Sequence, residues 1–132
     1  MSKSVLDASA ILAYLFDEKG AEVVAPILES GKGIISSDNS AEVVCKLTDN
    51  QMPAAAIQIA LDDLDLEIIA FDVPQAVVTG ELRAVTKPFG LSLGDRACLA
   101  LGQVLCVPVL TADRNWTLVP GNRDVRAIRG AD

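Results

Sequence analysis

The chain has 132 residues, of which 51% are hydrophobic and 22% are charged, a formal net charge of −7 and no histidine. This length is typical of one domain, and we predict a single domain over residues 1–132. The longest apolar run, 10–16, is much shorter than the roughly 20 residues that cross a bilayer, and no signal-peptide pattern opens the sequence. These features predict a cytoplasmic protein without a membrane span. The lack of histidine excludes catalytic schemes built on imidazole.

Three cysteines lie at Cys45, Cys98 and Cys106. Their odd number and irregular spacing support neither a disulfide framework nor a Cys-x-x-Cys metal site. All three stand in apolar stretches, so we expect them to be core residues.

The predicted elements alternate between strand and helix along the chain. Short apolar segments predict strands at 4–7, 33–36, 67–71, 107–110 and 124–128. Helical spacing and capping residues predict helices at 8–20, 21–31, 40–47, 52–64, 72–86 and 92–102. Asp72 and Gln75 have capping-box spacing, and Ser92 is the expected N-cap of the last helix. This alternation predicts an α/β fold whose mainly parallel sheet is covered by helices on both faces.

Four acidic residues stand next to predicted strands. Asp7 ends the first strand, and Glu42 lies one turn into the helix after the second. Asp113 follows the fourth strand, and Asp95 opens the helix that leads into it. Because ligands of such sheets bind beyond the carboxyl ends of the strands, we expect the four carboxylates to converge there.

Each of these carboxylates also has a purely structural explanation. Asp7 can cap the helix that follows it, and Asp95 has the spacing of a capping box. Asp113 favours a loop turn, while Glu42 and Lys46 have the i,i+4 spacing of a helical ion pair. The metal-site hypothesis therefore depends on the four acting together.

Carboxylates gathered in one place repel each other and lose hydration, which a bound cation offsets. Oxygen ligands without histidine or cysteine suit Mg²⁺, with Mn²⁺ as a substitute. Such a cation can activate water for attack on a phosphodiester. The sequence therefore indicates hydrolytic phosphoryl chemistry.

The charge is distributed unevenly. Residues 1–79 carry 4 basic and 13 acidic side chains, a net charge of −9, whereas residues 80–132 carry 7 basic and 5 acidic, a net charge of +2. The overall charge of −7 argues against a polyanionic partner, but the C-terminal part can face one.

Four segments together resemble the signature segments of PIN-domain ribonucleases, specifically the toxins of VapBC-type toxin–antitoxin pairs. They are VLDASAILAYL, SSDNSAEVVCKL, GLSLGDRACLALG and VPVLTADRNW, and the similarity runs over nearly the whole chain. The resemblance implies a three-layer α/β/α sandwich, a Mg²⁺-dependent endoribonuclease acting as the toxin of a type II toxin–antitoxin pair, and inhibition by a cognate antitoxin protein.

The resemblance also assigns roles to individual residues. Asp7 and Asp95 match the principal metal-binding aspartates of the family, and Glu42 and Asp113 match its other two acidic positions. Thr111 matches a hydroxyl residue that orients Asp113 or a metal-bound water. The resemblance implies supporting roles for Asn39 and Ser9. Their charge, not the resemblance, makes Arg83, Arg96 and Arg114 candidates for contacts to RNA, although solvated surface charge also accounts for each of them.

Three other functions fit part of the sequence pattern. A receiver-like phosphoacceptor domain needs paired acids after the first strand and a late lysine, but here Asp7 stands alone and no lysine follows Lys87. A metal-dependent adhesion module needs Asp-x-Ser-x-Ser, and Ile11 replaces its second serine. A catalytically idle interaction protein of the same fold remains open.

The first two predicted helices are rich in apolar residues. Leu12, Leu15, Val24 and Leu28 exceed what one helix face readily buries. We therefore expect a homodimer or a groove for a protein partner.

Overall fold

The computed structural model describes residues 1–130 of the predicted domain, leaving 131–132 outside the description. Five strands form its sheet: Ser4–Leu6 (β1), Gly33–Ser36 (β2), Glu67–Ile69 (β3), Val109–Thr111 (β4) and Val125–Ala127 (β5). Their order is β3-β2-β1-β4-β5, and all four pairings are parallel. This order differs from the 2-1-3-4-5 order of receiver-type sheets.

In the described part of the chain, seven α-helices cover the sheet: Ala8–Leu15 (α1), Ala21–Glu29 (α2), Ser37–Asp49 (α3), Ala54–Asp63 (α4), Val73–Glu81 (α5), Arg83–Thr86 (α6) and Leu93–Leu105 (α7). Short 3₁₀ helices lie at Lys87–Phe89 and Arg114–Leu118. Within residues 1–130, no helix combines the length and apolar character needed to cross a membrane.

The core is divided by the sheet because successive strand residues point to opposite faces. Val5 and Val109 pack with the buried face of α7 and with Trp116. Leu6 and Leu110 pack with α1 to α4 on the other face. Both faces of the central strands are therefore buried, which confirms the predicted α/β/α sandwich and explains why these strands are apolar throughout.

Several predicted boundaries were wrong. The first helix ends at Leu15 instead of Gly20, because Asp17 takes a left-handed conformation with φ of 53°. Gly20 instead has φ of 102°, and a Cβ there would lie 2.7 Å from Ile128 Cγ1. Glycine at this position therefore lets the segment around Ile128 pack closely against Gly20, where a side chain would collide with it.

The helix predicted over 72–86 is interrupted at Leu82, and its capping box forms only by half. Asp72 Oδ1 accepts a hydrogen bond from Gln75 N at 3.0 Å. The Gln75 side chain does not return this contact, because its Nε2 donates to Ala70 O at 2.9 Å.

The cysteines were predicted correctly only in part. Cys98 is buried, and burial raises the pKa of its thiol well above the usual value. Cys45 is exposed because Val43 and Leu47 form the buried face of α3 and Cys45 lies between them on the other side. Cys106 is also exposed, at the left-handed C-cap of α7.

The apolar residues of the first two helices are better buried than their number suggested. Val24 and Leu28 are core residues, and Leu12 and Leu15 are partly buried against the same cluster. The argument for a dimer from Val24 and Leu28 was therefore wrong, because the chain itself covers both. Phe16, the residue that follows α1, keeps 38% of its surface exposed.

Candidate active site

A cleft opens at the carboxyl end of β1, the central strand of the sheet. It is lined by Asp7, Ala8, Ser9, Leu12, Asn39, Glu42, Lys46 and Asp95. Asp7 follows β1, Asn39 and Glu42 lie in the first turns of α3 after β2, and Asp95 lies in the first turn of α7. Three of the four predicted acidic residues therefore share this cleft.

Asp7 is buried, with 5% exposure, and its hydrogen-bond donors within residues 1–130 are neutral groups. Its Oδ1 accepts from Ala10 N at 2.8 Å and from Ser9 Oγ at 2.7 Å. Its Oδ2 accepts from Thr111 Oγ1 at 2.7 Å. Asp7 is thus both the N-cap of α1 and an acidic group of the cleft.

Burial raises the pKa of Asp7 to about 6, although the hydrogen bonds from Thr111, Ala10 and Ser9 act in the opposite direction. The nearby charge of Asp95 raises the pKa further. The ionised carboxylate is therefore held at a free-energy cost that a cation would remove.

Thr111, buried at the end of β4, connects Asp7 with Asp113. Its hydroxyl donates to Asp7 and accepts from Asp113 N at 3.1 Å. Asp113 itself is exposed, and its Oδ1 accepts from Asn115 N at 2.9 Å at the start of the 3₁₀ helix. The Asp113 carboxylate thus forms the turn that its sequence also favoured, and it is not one of the groups that line the cleft.

Asp95 forms the predicted capping box at the start of α7. Ser92 N donates to Asp95 Oδ2 at 2.9 Å, and Asp95 N donates to Ser92 Oγ at 3.1 Å. These bonds hold the side chain at the helix N-terminus while it lines the cleft. The structural and the functional explanations of Asp95 are compatible.

Glu42 is held by Asn39 instead of the expected ion pair with Lys46. Asn39 Nδ2 donates to Glu42 Oε1 at 2.6 Å and to Gly94 O at 3.0 Å. Within residues 1–130, Lys46 forms no salt bridge. Desolvation raises the pKa of Glu42, the Asn39 hydrogen bond lowers it, and the charges of Asp38 and Asp95 raise it further.

The donor atoms of the cleft fit a hydrated divalent cation. Within residues 1–130, no group donates a hydrogen bond to the buried Asn39 Oδ1, and the groups that donate to Asp7 are neutral. The Asn39 Oδ1 and the Asp7 carboxylate can therefore accept from a metal-bound water or ligate a cation. The expected convergence of all four carboxylates is not observed: Asp113 lies outside the cleft, and among the described side chains no three acidic, histidine or cysteine residues lie close enough to share one ion. Mg²⁺ often uses only one or two carboxylates and retains several waters, which agrees with this arrangement.

The predicted arginines lie away from the cleft lining. Arg96 is partly buried, and its Nη1 donates to Thr79 O of α5 at 3.0 Å. Arg83 and Arg114 are exposed on α6 and on the second 3₁₀ helix. Lys46 is the basic residue that lines the cleft, and its i,i+4 spacing from Glu42 was the available signal for placing both on one face of α3.

Comparisons with known proteins agree with this architecture. The family model described as PIN domain matches residues 4–122. Ribonuclease VapC42 of Mycobacterium tuberculosis is 31% identical over 121 residues, which covers 86% of this chain and 92% of that protein. A VapC ribonuclease of Mycobacterium bovis matches to the same extent.

Two solved structures show the same fold. VapBC2 from Rickettsia felis, bound to a DNA fragment from its promoter, has a TM-score of 0.71 at 19% identity and covers 94% of this chain and 97% of that one. A toxin–antitoxin complex from Klebsiella pneumoniae has a TM-score of 0.73 at 17% identity, covering 98% and 100%. Since the family model spans most of the sequence and the relatives align along most of both chains, this chain belongs to the PIN-domain family.

Proposed function

We propose that this chain is a Mg²⁺-dependent endoribonuclease that hydrolyses RNA phosphodiester bonds in the cytoplasm as the toxin of a type II toxin–antitoxin pair. The observation that carries the proposal is the cleft at the carboxyl edge of the sheet, which Asp7, Glu42 and Asp95 line together. The relatives named as VapC ribonucleases support the same activity. Mn²⁺ is proposed as a substitute metal.

Three acidic side chains of the cleft have a part in this chemistry. Asp7 and Asp95 would hold the cation, and Glu42 would be its acidic neighbour. Asp113 lies outside the cleft lining and would act only indirectly, through the Thr111 hydroxyl that connects it with Asp7. When bound, Mg²⁺ supplies charge neutralisation and a water of lowered pKa. Glu42 Oε1 is bound by Asn39, which leaves Oε2 to accept a proton from the attacking water.

The supporting residues restrict how Asp7 can move. Ser9 and Thr111 donate to its carboxylate from α1 and β4, so its oxygens are fixed relative to the sheet. With no histidine in the chain, cleavage through a 2′-hydroxyl relayed by two imidazoles is excluded. The resemblance to PIN-domain ribonucleases implies 5′-phosphate and 3′-hydroxyl products.

The direct test is cleavage of a structured RNA pool by the purified chain with Mg²⁺, with Mn²⁺ and with EDTA. Asp95→Asn should lower the cleavage rate about 10²-fold to 10³-fold because it removes a charge that holds the cation, while its amide oxygen can still accept from Ser92 N. Asp63→Asn, at an exposed position at the end of α4, makes the same charge change away from the cleft and should cleave normally. Cleavage that EDTA leaves intact, or equal rates for both variants, would contradict the proposal. No cleavage under any condition would favour the idle interaction protein.

A second cleft continues from the first and offers a path for the RNA strand. It shares Ser9, Leu12 and Lys46 with the acidic cleft and extends to Phe16, Glu18, Asn50 and Arg129. An exposed aromatic ring beside basic side chains is the combination that binds single-stranded nucleic acid by stacking and phosphate contacts. We place an unpaired RNA strand here, with a phosphate next to Lys46.

Lys46→Gln is expected to raise KM for RNA about fivefold with little change in kcat, because it removes a phosphate contact but no group that acts on the scissile bond. The dependence of KM on salt should weaken as well. The matched control is Lys32→Gln, since Lys32 precedes β2 and lies at the opposite edge of the sheet. Equal KM values for the two variants would exclude Lys46 from RNA binding.

The structural neighbours also suggest a protein partner. The Rickettsia felis and Klebsiella pneumoniae structures are described as a VapBC complex and a toxin–antitoxin complex. We propose a cognate antitoxin as a partner of this chain.

A homodimer is proposed from exposed apolar side chains, of which Val73 and Leu93 are 77% and 60% exposed. The contacts of Arg83, Arg96 and Arg114 with RNA remain proposals.

A further inference from the structure

Gly94 stands in the first turn of α7, immediately before Asp95, and its backbone does not require glycine. Its φ is not positive, so an L-residue can adopt this conformation. The space around it is the constraint: a Cβ at Gly94 would lie 2.7 Å from Glu42 Oε2 and 2.8 Å from Glu42 Oε1. The Glu42 carboxylate therefore occupies the place where a side chain at residue 94 would lie.

Asn39 joins the same two residues. Its Nδ2 donates to Glu42 Oε1 at 2.6 Å and to Gly94 O at 3.0 Å, so one amide group links the carboxylate to the backbone of α7. Asn39 is 1% exposed and has little room to move. The Glu42 carboxylate, in contrast, is at the flexible end of an exposed side chain. Its position thus depends on this link and on the empty space at Gly94.

We propose that Gly94 is a positioning residue: by lacking a side chain, it lets the Glu42 carboxylate lie against the start of α7 beside Asp95. This inference rests on the proposed function, since it assigns Glu42 a part in the reaction. A methyl group at residue 94 would displace the carboxylate and break its bond to Asn39. The fold would accept this change, because the displaced group is solvent-accessible and alanine favours a helix more than glycine does.

The test is a double-mutant cycle of Gly94→Ala and Glu42→Ala. Gly94→Ala alone should lower kcat about 10²-fold, the size expected for misplacing a catalytic group by about 1 Å, without lowering Tm. In the Glu42→Ala background the same substitution should change kcat less than about twofold, because no carboxylate is left to displace. Gly80→Ala is the matched control: Gly80 is a helical glycine of α5 with nothing within 4 Å of its Cβ position, so kcat should stay unchanged.

Two further measurements on the purified chain do not depend on RNA cleavage. Calorimetry measures Mn²⁺ binding in each variant. Gly94→Ala should weaken Mn²⁺ binding relative to the wild type. In the Glu42→Ala background, adding Gly94→Ala should cause no further weakening. The increase in Tm caused by Gly94→Ala should be larger in the Glu42→Ala background, where no Asn39–Glu42 bond is lost.

Equal Tm shifts in both backgrounds, or a loss of kcat that persists without Glu42, would overturn the proposal. If the wild-type chain cleaves no RNA, the proposed function fails, and the Tm cycle still decides whether Gly94 positions Glu42.

Discussion

Asp7→Asn is expected to lower Mg²⁺-dependent RNA cleavage about 10³-fold while making the metal-free protein more stable. Activity falls because the substitution removes a charge that holds the cation. Stability rises because the buried carboxylate, with its pKa raised to about 6, is ionised at pH 8 at a cost of about 2–3 kcal/mol that a neutral amide avoids. The free energy of unfolding should therefore increase by about 2 kcal/mol after the altered Thr111 contact is allowed for.

Single-turnover cleavage and urea unfolding in EDTA measure the two effects. Asp72→Asn is the matched control, because Asp72 is also an aspartate N-cap, accepts from Gln75 N at 3.0 Å and is exposed. Asparagine caps helices about as well as aspartate, so this control should change neither quantity. If Asp7 were only a cap, Asp7→Asn would behave in the same way. A variant that is less stable than the wild type in EDTA would refute the argument from burial.

The second large effect is a pH dependence of stability in the absence of metal. The pKa of Asp7 is about 6 in the folded chain and 3.8 in its ordinary state, so the folded chain binds the proton more tightly. Its contribution to stability is complete below pH 4 and is lost as pH rises through 6. The loss should reach about 3 kcal/mol, since each pKa unit corresponds to about 1.4 kcal/mol.

Other carboxylates also titrate in this range, so the difference between wild type and Asp7→Asn isolates the contribution of Asp7. In EDTA, we expect the free energy of unfolding of the wild type to fall steadily relative to that of Asp7→Asn as pH rises from 4 to 7. Added Mg²⁺ should restore wild-type stability at pH 7 and have little effect at pH 4, because it binds the ionised carboxylate. A difference that stays constant across this range would contradict the raised pKa of Asp7.

The local elements could be predicted because their signals lie within a few residues of each other. Ser92 and Asp95 form the capping box that their spacing indicates, and β1 and β2 lie within one residue of the predicted segments. The acidic residues at the strand ends were identified by the same logic, since parallel strands end at one edge. Asp7, Glu42 and Asp95 do share a cleft there.

Contacts between distant segments could not be predicted in this way. Arg96 follows Asp95 directly, yet it donates to Thr79 on α5, because a one-residue step along a helix turns the side chain by about 100°. Cys45 looked like a core residue in an apolar stretch, but the packing of Val43 and Leu47 turned it outward. Asp113 has a carboxylate at the expected edge, where a local bond to Asn115 N holds it in a turn.

The sequence by itself determined the alternation of strands and helices, the caps, and the presence of acidic residues where strands end, because periodicity and short-range hydrogen bonding are properties of neighbouring residues. Only the tertiary structure decided that Asn39 links Glu42 to Gly94 across 55 residues of chain, and that Lys46 lies in the acidic cleft. Such contacts depend on how α3 and α7 pack across the sheet. That packing is set by the whole core and not by any one segment.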